Sequence, residues 1–386
     1  MMAIQMSSLG FSPLLPAIQK DFGLSYSQIG LFTGLYGLVA MALSVPAGIL
    51  AKRIGEKLAL TVGLLGVALG LLLLSQTHTY ATALGARVVW LIGYRIAFIC
   101  VMTSIALVAP PEFRSRAMGI LGAMASLASV IGAPFGTIIA EPYGWRGGIM
   151  GFAGMALLGA SIFWFGYTTG TGQGGEASFH GHGPSMPTTS AFRTPVVWSM
   201  VLLGLINMGG FSATFFVPSA VKTTFQLGAM ASAYVISTSY IVAILANLLF
   251  GYLCDRFNRW DMMIGLAVLL VPACFAMMVH NLLVFRVATA LVISLGLCAT
   301  NQIFALAGDV VGRSELGPVM GVVGLGGGVF GYIGPQVLGL LRDRTGGFTA
   351  GWYFVAIGVV LSLIEIVFLR HYARSRPAVE LSASRN

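Results

Sequence analysis

Apolar segments of about twenty residues, separated by short polar stretches, follow one another along the whole of this chain of 386 residues. A helix needs about 20 residues to cross the apolar layer of a bilayer, and in lipid its backbone groups must bond within the helix. The pattern predicts an all-α membrane protein. We predict twelve spans, at residues 1–19, 27–50, 58–75, 83–109, 117–140, 147–168, 196–219, 230–252, 262–279, 283–308, 317–341 and 350–370.

One long polar stretch interrupts this pattern, at residues 169–195. It is rich in Gly, Ser, Thr, Pro and His, which is the composition of a flexible linker. It predicts two six-helix bundles, at residues 1–168 and 196–371, followed by a tail at 372–386.

The two predicted bundles share a sequence pattern. Residues 48–57 (GILAKRIGEK) recur as 251–259 (GYLCDRFNR), and Pro16 recurs as Pro218, so the repeat has an offset of about 200 residues. Duplicated halves are typical of secondary transporters, which hold their substrate at the midplane between the repeats. The repeat predicts two pseudo-symmetric bundles related by a rotation about the membrane normal.

Composition excludes a soluble protein, because only 9% of the residues are charged and 57% are hydrophobic, whereas soluble domains are about 25% charged. The net charge of +9 does not predict nucleic-acid binding, since the basic residues lie in short loops between spans. The four cysteines show no metal-ligand spacing. The sequence predicts no cofactor and no metal.

The distribution of the 21 Lys and Arg residues predicts the orientation in the membrane. Thirteen fall on one side of the predicted spans, five on the other and three within spans. Because short cytoplasmic loops are enriched in Lys and Arg, both termini and the linker are predicted to be cytoplasmic, in a multi-pass protein of the cell (inner) membrane.

Several loop motifs resemble those of the major facilitator superfamily, and the resemblance covers essentially the whole chain. Residues 48–57 are similar to the family's loop G-x-L-A-D-R-x-G-R-K, although Lys52 replaces its acid, which the second copy keeps as Asp255. Residues 110–119 (PPEFRSRAMG) and 143–146 (YGWR) resemble further loops of that family. The resemblance implies a monomeric twelve-helix transporter that works by alternating access on a small molecule.

Charged residues in and near these loops are predicted to tie helices together and to gate the bundle, because Asp and Arg can cap neighbouring helix ends. Arg87 and Arg286 are mates in the repeat and are predicted to be structural or gating. The full set is Lys52, Arg53, Arg87, Arg114, Asp255, Arg256, Arg286 and Asp309.

Arg95 is the strongest predicted substrate ligand, because it lies near the middle of the fourth span. A central Arg costs at least ~2.5–3.5 kcal/mol on insertion scales, so it should face a water-filled cavity and meet a partner. Its mate in the repeat is Ser294. We predict that its guanidinium binds a carboxylate or a similar oxyanion. The alternative is a buried structural Arg bonded to a neighbouring helix.

Polar side chains within other spans would complete a substrate cavity, or would serve as single helix–helix hydrogen bonds of ~0.6 kcal/mol. They are Gln5, Tyr36, Asn207, Tyr240, Asn301, Gln302 and Gln336. Among the acids only Glu365 lies well inside a span. The sequence therefore does not predict proton coupling through a central carboxylate.

The sequence therefore favours a secondary active or facilitative transporter of a small organic anion. The alternative is an efflux antiporter for amphipathic compounds, favoured by residues 132–136 (GAPFG), which partly resemble an efflux signature, and by 24 Phe and 18 Met. A membrane sensor is a weaker alternative. An enzyme is not predicted, since the sequence contains no HExxH motif, catalytic triad or paired intramembrane carboxylates. The expected partners are the lipid bilayer and the substrate.

Overall fold

The computed structural model describes residues 2–108, 114–166, 198–310 and 316–375, which are helical almost throughout. The long elements are α1 (Met2–Gly10), α2 (Leu15–Phe22), α3 (Tyr26–Ile54), α4 (Glu56–Ser75), α5 (Tyr80–Val108), α6 (Arg114–Gly166), α7 (Leu205–Thr224), α8 (Ala229–Arg256), α9 (Arg259–Ala276), α10 (Leu282–Val310), α11 (Leu316–Thr345) and α12 (Thr349–Ser375). Short 3-10 turns cover Ser12–Leu14 and Met200–Gly204.

The predicted spans are recovered in this order. Ten helices of the described chain are long and apolar enough to cross a membrane. The first predicted span consists of α1, the turn Ser12–Leu14 and α2. Predicted spans 5 and 6 are the two arms of α6, spans 2 to 4 are α3 to α5, and spans 7 to 12 are α7 to α12. The all-α membrane architecture is confirmed, while the predicted linker 169–195 lies outside the described residues.

Proline and glycine explain both irregular spans. Pro13 lies in the 3-10 turn that separates α1 from α2; its ring cannot continue an α-helix with normal hydrogen bonding. Gly144, two residues after Pro142, has φ of 69° inside α6, a left-handed conformation that glycine adopts at little cost. The two arms of α6 therefore meet at a kink without an intervening loop.

The connections between helices lie on two opposite faces. On one face they cover residues 23–25, 76–79, 225–228, 277–281 and 346–348, so each is only three to five residues long. This surface, together with the kink at Gly144, is termed the Gly23 face. The opposite surface, where α3 meets α4 at Gly55, is termed the Gly55 face. Lys52 and Arg53 lie there, on the side predicted to be cytoplasmic.

The N-terminal half (α1 to α6) and the C-terminal half (α7 to α12) pack against each other through α3 with α11 and through α6 with α8. Glycine allows the first approach: a Cβ on Gly37 would lie 2.2 Å from the carbonyl oxygen of Gly328, and a Cβ on Gly30 would lie 2.5 Å from that of Pro335. Small residues bring membrane helices together in this way. We term this contact the glycine seam.

Asp343 extends the contact between the halves to the Gly23 face. Its carboxylate oxygens accept hydrogen bonds from the backbone N–H groups of Tyr26 (2.8 Å) and Ser27 (2.7 Å), at the first turn of α3. The guanidinium of Arg342 lies 4.8 Å from the centre of the Tyr26 ring. The halves are therefore closed against each other at this face.

A second polar cluster on the Gly23 face stays within the N-terminal half. Arg146 donates to Asp21 Oδ2 (2.7 Å) and to the carbonyl oxygen of Thr77 (2.9 Å), and Trp145 Nε1 also donates to Asp21 (3.1 Å). The hydrogen bond from Arg146, and then that from Trp145, hold the pKa of the Asp21 carboxyl below its usual value. The cluster ties α2 to the second arm of α6 and to the connection after α4.

Candidate functional site

A cavity of about 110 Å³ lies between the two halves. It is bounded by α1, α3, α5, the first arm of α6, α7, α8 and α10, so both halves contribute to its wall. Its lining residues are Gln5, Leu9, Tyr36, Tyr94, Phe98, Leu121, Gly122, Ala125, Ser126, Asn207, Phe211, Tyr240, Asn247, Leu297 and Thr300. We term it the central cavity.

Hydrogen bonds connect the polar groups in the N-terminal wall of the central cavity. The Tyr94 hydroxyl donates to Gln5 Oε1 at 2.7 Å and lies 3.3 Å from the Tyr36 hydroxyl. Across the cavity, the Tyr36 ring centre is 4.9 Å from that of Phe211 on α7. These side chains therefore form one continuous set that reaches from α1 to the C-terminal half.

The C-terminal wall is less fully bonded. The hydroxyl of Tyr240 lies 3.2 Å from that of Thr214. Asn207 is buried, and within the described chain its side-chain oxygen has no hydrogen-bond partner. An unsatisfied buried amide oxygen is costly unless a ligand or water completes it, so Asn207 has spare bonding capacity toward the cavity.

Four of the predicted substrate ligands line the central cavity: Gln5, Tyr36, Asn207 and Tyr240. Gln302 on α10 and Gln336 on α11 are half-buried and are not part of its wall. The side chain of Asn301 lies outside the described residues.

Arg95 lies beside the central cavity and is not in its wall. It is half-buried, and its guanidinium carbon is 5.7 Å from the ring centre of Phe98, which does line the cavity. The residue before it, Tyr94, supplies the hydroxyl at the centre of the hydrogen-bond network. Sequence reasoning did not predict Tyr94, although it lies seven residues after Arg87 and so shares that face of α5.

Arg87 and Arg286, which are mates in the sequence repeat, have different environments. Arg286 is exposed, whereas Arg87 is completely buried. The guanidinium carbon of Arg87 lies 3.9 Å from the ring centre of Trp90, 4.5 Å from that of Phe11 and 5.2 Å from that of Phe32. Cation–π contacts of this kind partly compensate a desolvated cation.

Among the predicted gating charges on the Gly55 face, the structure describes the side chains of Arg53 and Arg256. The side chains of Lys52, Arg114, Asp255 and Asp309 lie outside the described residues. Arg53 and Arg256 are exposed, and the guanidinium of Arg256 lies 5.0 Å from the ring centre of Tyr252.

A larger cavity, of about 320 Å³, opens at the Gly23 face within the C-terminal half. Its wall includes His280, Arg342 and Trp352. Because its wall comes from the C-terminal half alone, it does not lie where two moving halves would meet. The smaller central cavity is therefore the better candidate for a transport site.

Comparison with known protein families agrees with this geometry. The sequence profile of the Major Facilitator Superfamily matches residues 1–299 and 208–385, which together cover nearly the whole chain. The chain belongs to the major facilitator superfamily. It is therefore a multi-pass secondary transporter, and the resemblance inferred from the loop motifs is confirmed.

Several members of the superfamily are similar over most of their length. The chain is 23% identical over 408 residues to a putative tartrate transporter of Agrobacterium vitis (97% of this chain, 87% of that protein). It is 21% identical to a probable nitrate transporter, NarT, of Staphylococcus epidermidis (93% and 91%). It is also 25% identical to the quinolone resistance protein NorA of Staphylococcus aureus (94% and 92%).

A solved structure supports the fold. The crystal structure of a bacterial homolog to the human lysosomal transporter Spinster, in an inward-facing and unoccupied conformation, superposes with a TM-score of 0.72 at 16% identity. The match covers 97% of this chain and 94% of that one. It shows that the two proteins share a fold.

Proposed function

We propose that this transporter moves a small organic anion, one that bears a carboxylate or a similar oxyanion, across the cell (inner) membrane by alternating access. The observation that carries the proposal is the composition of the central cavity and its surroundings. Its described wall holds neutral hydrogen-bonding groups from both halves and no acidic side chain, while α5 carries two arginines, Arg87 and Arg95, on either side of Tyr94.

In this proposal Arg95 binds the carboxylate, because a guanidinium presents two parallel N–H donors to an oxyanion. Neutral groups would then hold the rest of the cargo: Gln5, Tyr36, Asn207 and Tyr240, with Asn301, Gln302 and Gln336 joining them as the cavity opens. The volume of about 110 Å³ is well below the roughly 300–1,000 Å³ of sites for drug-sized ligands. It favours a small cargo.

Two relatives support an anionic cargo by their names, one a putative tartrate transporter and the other a probable nitrate transporter. Tartrate and nitrate both present planar oxyanion groups that suit a guanidinium. Both relatives are distant, so they support the class of cargo and not its identity.

Efflux of amphipathic compounds is the second candidate. The rings of Tyr36, Tyr94, Phe98 and Phe211 line the central cavity, and aromatic walls suit flat apolar ligands. The similarity to the quinolone resistance protein NorA points the same way. A quinolone is therefore the appropriate competitor in any test of substrate class.

The rest of the proposal follows from alternating access by two bundles. The protein acts as a monomer that releases its cargo chemically unchanged, with both termini on the cytoplasmic side. The loop charges at the Gly55 face would hold the halves when that face is closed. Arg87 and Arg286 lie near the ends of α5 and α10 at the Gly23 face, and they would have structural roles in this conformation. The loop charges are Lys52, Arg53, Arg114, Asp255, Arg256 and Asp309.

Binding and stability measured on the same purified proteins test the role of Arg95. If Arg95 binds the anion, Arg95→Lys and Arg95→Ala should both lower tartrate affinity about ten- to a hundredfold, the loss expected for one charged hydrogen bond. Both should remain monodisperse with a melting temperature near that of the wild type. Tartrate affinity unchanged in a stable Arg95→Ala protein, or stabilisation of the wild type by a quinolone and by no carboxylate, would contradict the proposal.

A further inference from the structure

Arg87 is the most unusual charged residue in the described chain, because it is completely buried and lacks an anionic partner there. None of its Nε, Nη1 and Nη2 atoms has a hydrogen-bond partner in the part of the chain that the structure describes, and Trp90 Nε1, on the ring that it stacks against, has none either. These are all donors. A buried donor is costly without a hydrogen-bond acceptor, and a buried cation is costly without an anion to pair with it.

Aromatic rings are the contacts that the structure shows around this guanidinium. Phe11, Phe32 and Trp90 surround it at 3.9 to 5.2 Å from their ring centres. Ring faces attract a cation through their quadrupoles, yet they accept none of the directional N–H bonds that a guanidinium can make. The cluster therefore compensates the charge in part and leaves its hydrogen-bonding capacity open to an anion.

The position of Arg87 places it on the path between the Gly23 face and the central cavity. Arg87, Trp90 and Tyr94 follow one another along one side of α5, and seven residues of helix separate Arg87 from Tyr94 by about 10 Å. Because α5 begins at the Gly23 face, Arg87 lies on that side of the cavity.

A layer of rings closes this path. The ring centre of Phe11 is 5.1 Å from that of Trp90 and 5.9 Å from that of Phe215, and Phe215 is 6.0 Å from Phe211 in the cavity wall. Phe11 belongs to the N-terminal half and Phe215 to the C-terminal half, so this contact crosses between the halves. Phe11 also lies at the interruption between α1 and α2, and not within a continuous helix.

We infer that Arg87 is a second anion-binding residue, hidden in this conformation and uncovered when the Gly23 face opens. Separation of the halves at that face parts Phe215 from Phe11 and gives water and solutes access to the ring layer over Arg87. A carboxylate arriving from the Gly23 face then meets Arg87 first, and Arg95 lies eight residues, about 12 Å, further along α5. The inference rests on the proposed function, because it assumes an anionic cargo.

The test measures the half-saturating tartrate concentration for transport from each side of the membrane, in right-side-out and in inside-out vesicles. Arg87→Gln keeps a polar side chain and removes the charge. It should raise the half-saturating concentration about ten- to a hundredfold from one side of the membrane, and less than about threefold from the other. Arg286→Gln is the matched control, because it removes the same charge from an exposed mate, and it should change neither value.

The outcomes separate this inference from the proposed function. Vesicles that transport no carboxylate with the wild-type protein would overturn both. Normal wild-type transport with unchanged half-saturation in Arg87→Gln, or with an equal change from both sides, would overturn the inference alone. If Arg87→Gln does not reach the membrane, Arg87→Lys is compared with Arg286→Lys instead. A loss of tartrate affinity from one side only in Arg87→Lys supports the inference, since an ammonium lacks the planar fork of a guanidinium. Unchanged affinity overturns it.

Discussion

Removing the Asp343 carboxylate should shift the protein toward a conformation that is open at the Gly23 face. Asp343, in the C-terminal half, accepts hydrogen bonds from Tyr26 and Ser27 at the start of α3 in the N-terminal half. When the halves part at this face, both bonds must break. The other N-terminal groups of α3 keep their partners, because Ser25 and Gln28 bond each other in a capping box.

The size of the shift follows from the kind of bond that is lost. A charge at a helix N-terminus contributes about 0.3–1 kcal/mol at an exposed site, and a capping hydrogen bond contributes about 1 kcal/mol. The freed N–H groups become hydrated in the open state, so no buried donor is left behind. Asp343→Asn keeps one acceptor oxygen and loses the charge, at about 1 kcal/mol, which is about a fivefold rise in the ratio of open to closed protein. Asp343→Ala should cost about 1–2 kcal/mol.

Distances between nitroxide labels at Gln76 and Thr224 measure this ratio. The two positions are exposed on the Gly23 face, one in each half, and the four native cysteines are buried. We expect a longer distance to gain population in Asp343→Asn and more in Asp343→Ala. Asp21→Asn is the matched control, because Asp21 is an acid of the same face whose partners Arg146 and Trp145 lie in its own half.

A distance distribution that stays the same as the wild type in both Asp343 variants would refute the reasoning. The glycine seam between α3 and α11 would then hold the Gly23 face closed without the hydrogen bonds to Asp343. A shift in Asp21→Asn as large as that in Asp343→Asn would also count against it, since that result would reflect lost surface charge in general.

Three further predictions concern single side chains. The lowered pKa of Asp21 adds stability above the unfolded-state pKa of about 3.9, and this stability is lost as the pH falls through the folded-state pKa. The melting temperature should therefore fall more steeply below about pH 4 in the wild type than in Asp21→Asn. Parallel curves of melting temperature against pH would contradict this. Tyr94→Phe removes the hydroxyl that bonds Gln5 and should weaken tartrate binding by about 1 kcal/mol, or about fivefold in a titration. Gly37→Val places a side chain against the Gly328 carbonyl and should cost about 1–3 kcal/mol in a thermal unfolding assay, while the same change at Gly154, which has open space around its Cβ position, should cost less.

The number and placement of the helices could be predicted from the sequence, because the length of an apolar run is set by the thickness of the bilayer. The junctions were less predictable. The break predicted between residues 140 and 147 is present at Gly144, where the two arms of α6 meet without a loop because Pro142 and Gly144 reverse the chain. The interruption at Pro13 was hidden inside one apolar segment.

The candidate site was predicted in part. Gln5 and Asn207, which are mates in the repeat, both line the central cavity, because a polar side chain within an apolar span has few other favourable places. Tyr94 was not predicted, because it follows no charge pattern and the substrate-binding role on this part of α5 was assigned to its neighbour Arg95. The facing direction of a helix that is apolar on all sides depends on its neighbours and not on its own sequence.

The difference between Arg87 and Arg286 shows the same limit. Their positions in the repeat are equivalent, and their surroundings are not. At the offset of 202 that relates Pro16 to Pro218, Phe11 corresponds to Ala213, so the C-terminal half has no matching ring at that position. Trp90 of α5 itself covers one side of Arg87, and the rest of its burial comes from Phe32 of α3 and Phe11 at the break before α2, which the sequence of α5 does not reveal.

The short connections of the Gly23 face have a practical consequence. Each has only three to five residues, so an antibody fragment or a synthetic binder finds no single protruding loop to grip on that surface. It must contact several connections together, and those of the two halves change their spacing when the halves move. Binders selected against this face should therefore recognise one conformation of the protein and hold it there, which makes them suitable reagents for trapping successive states of the transport cycle.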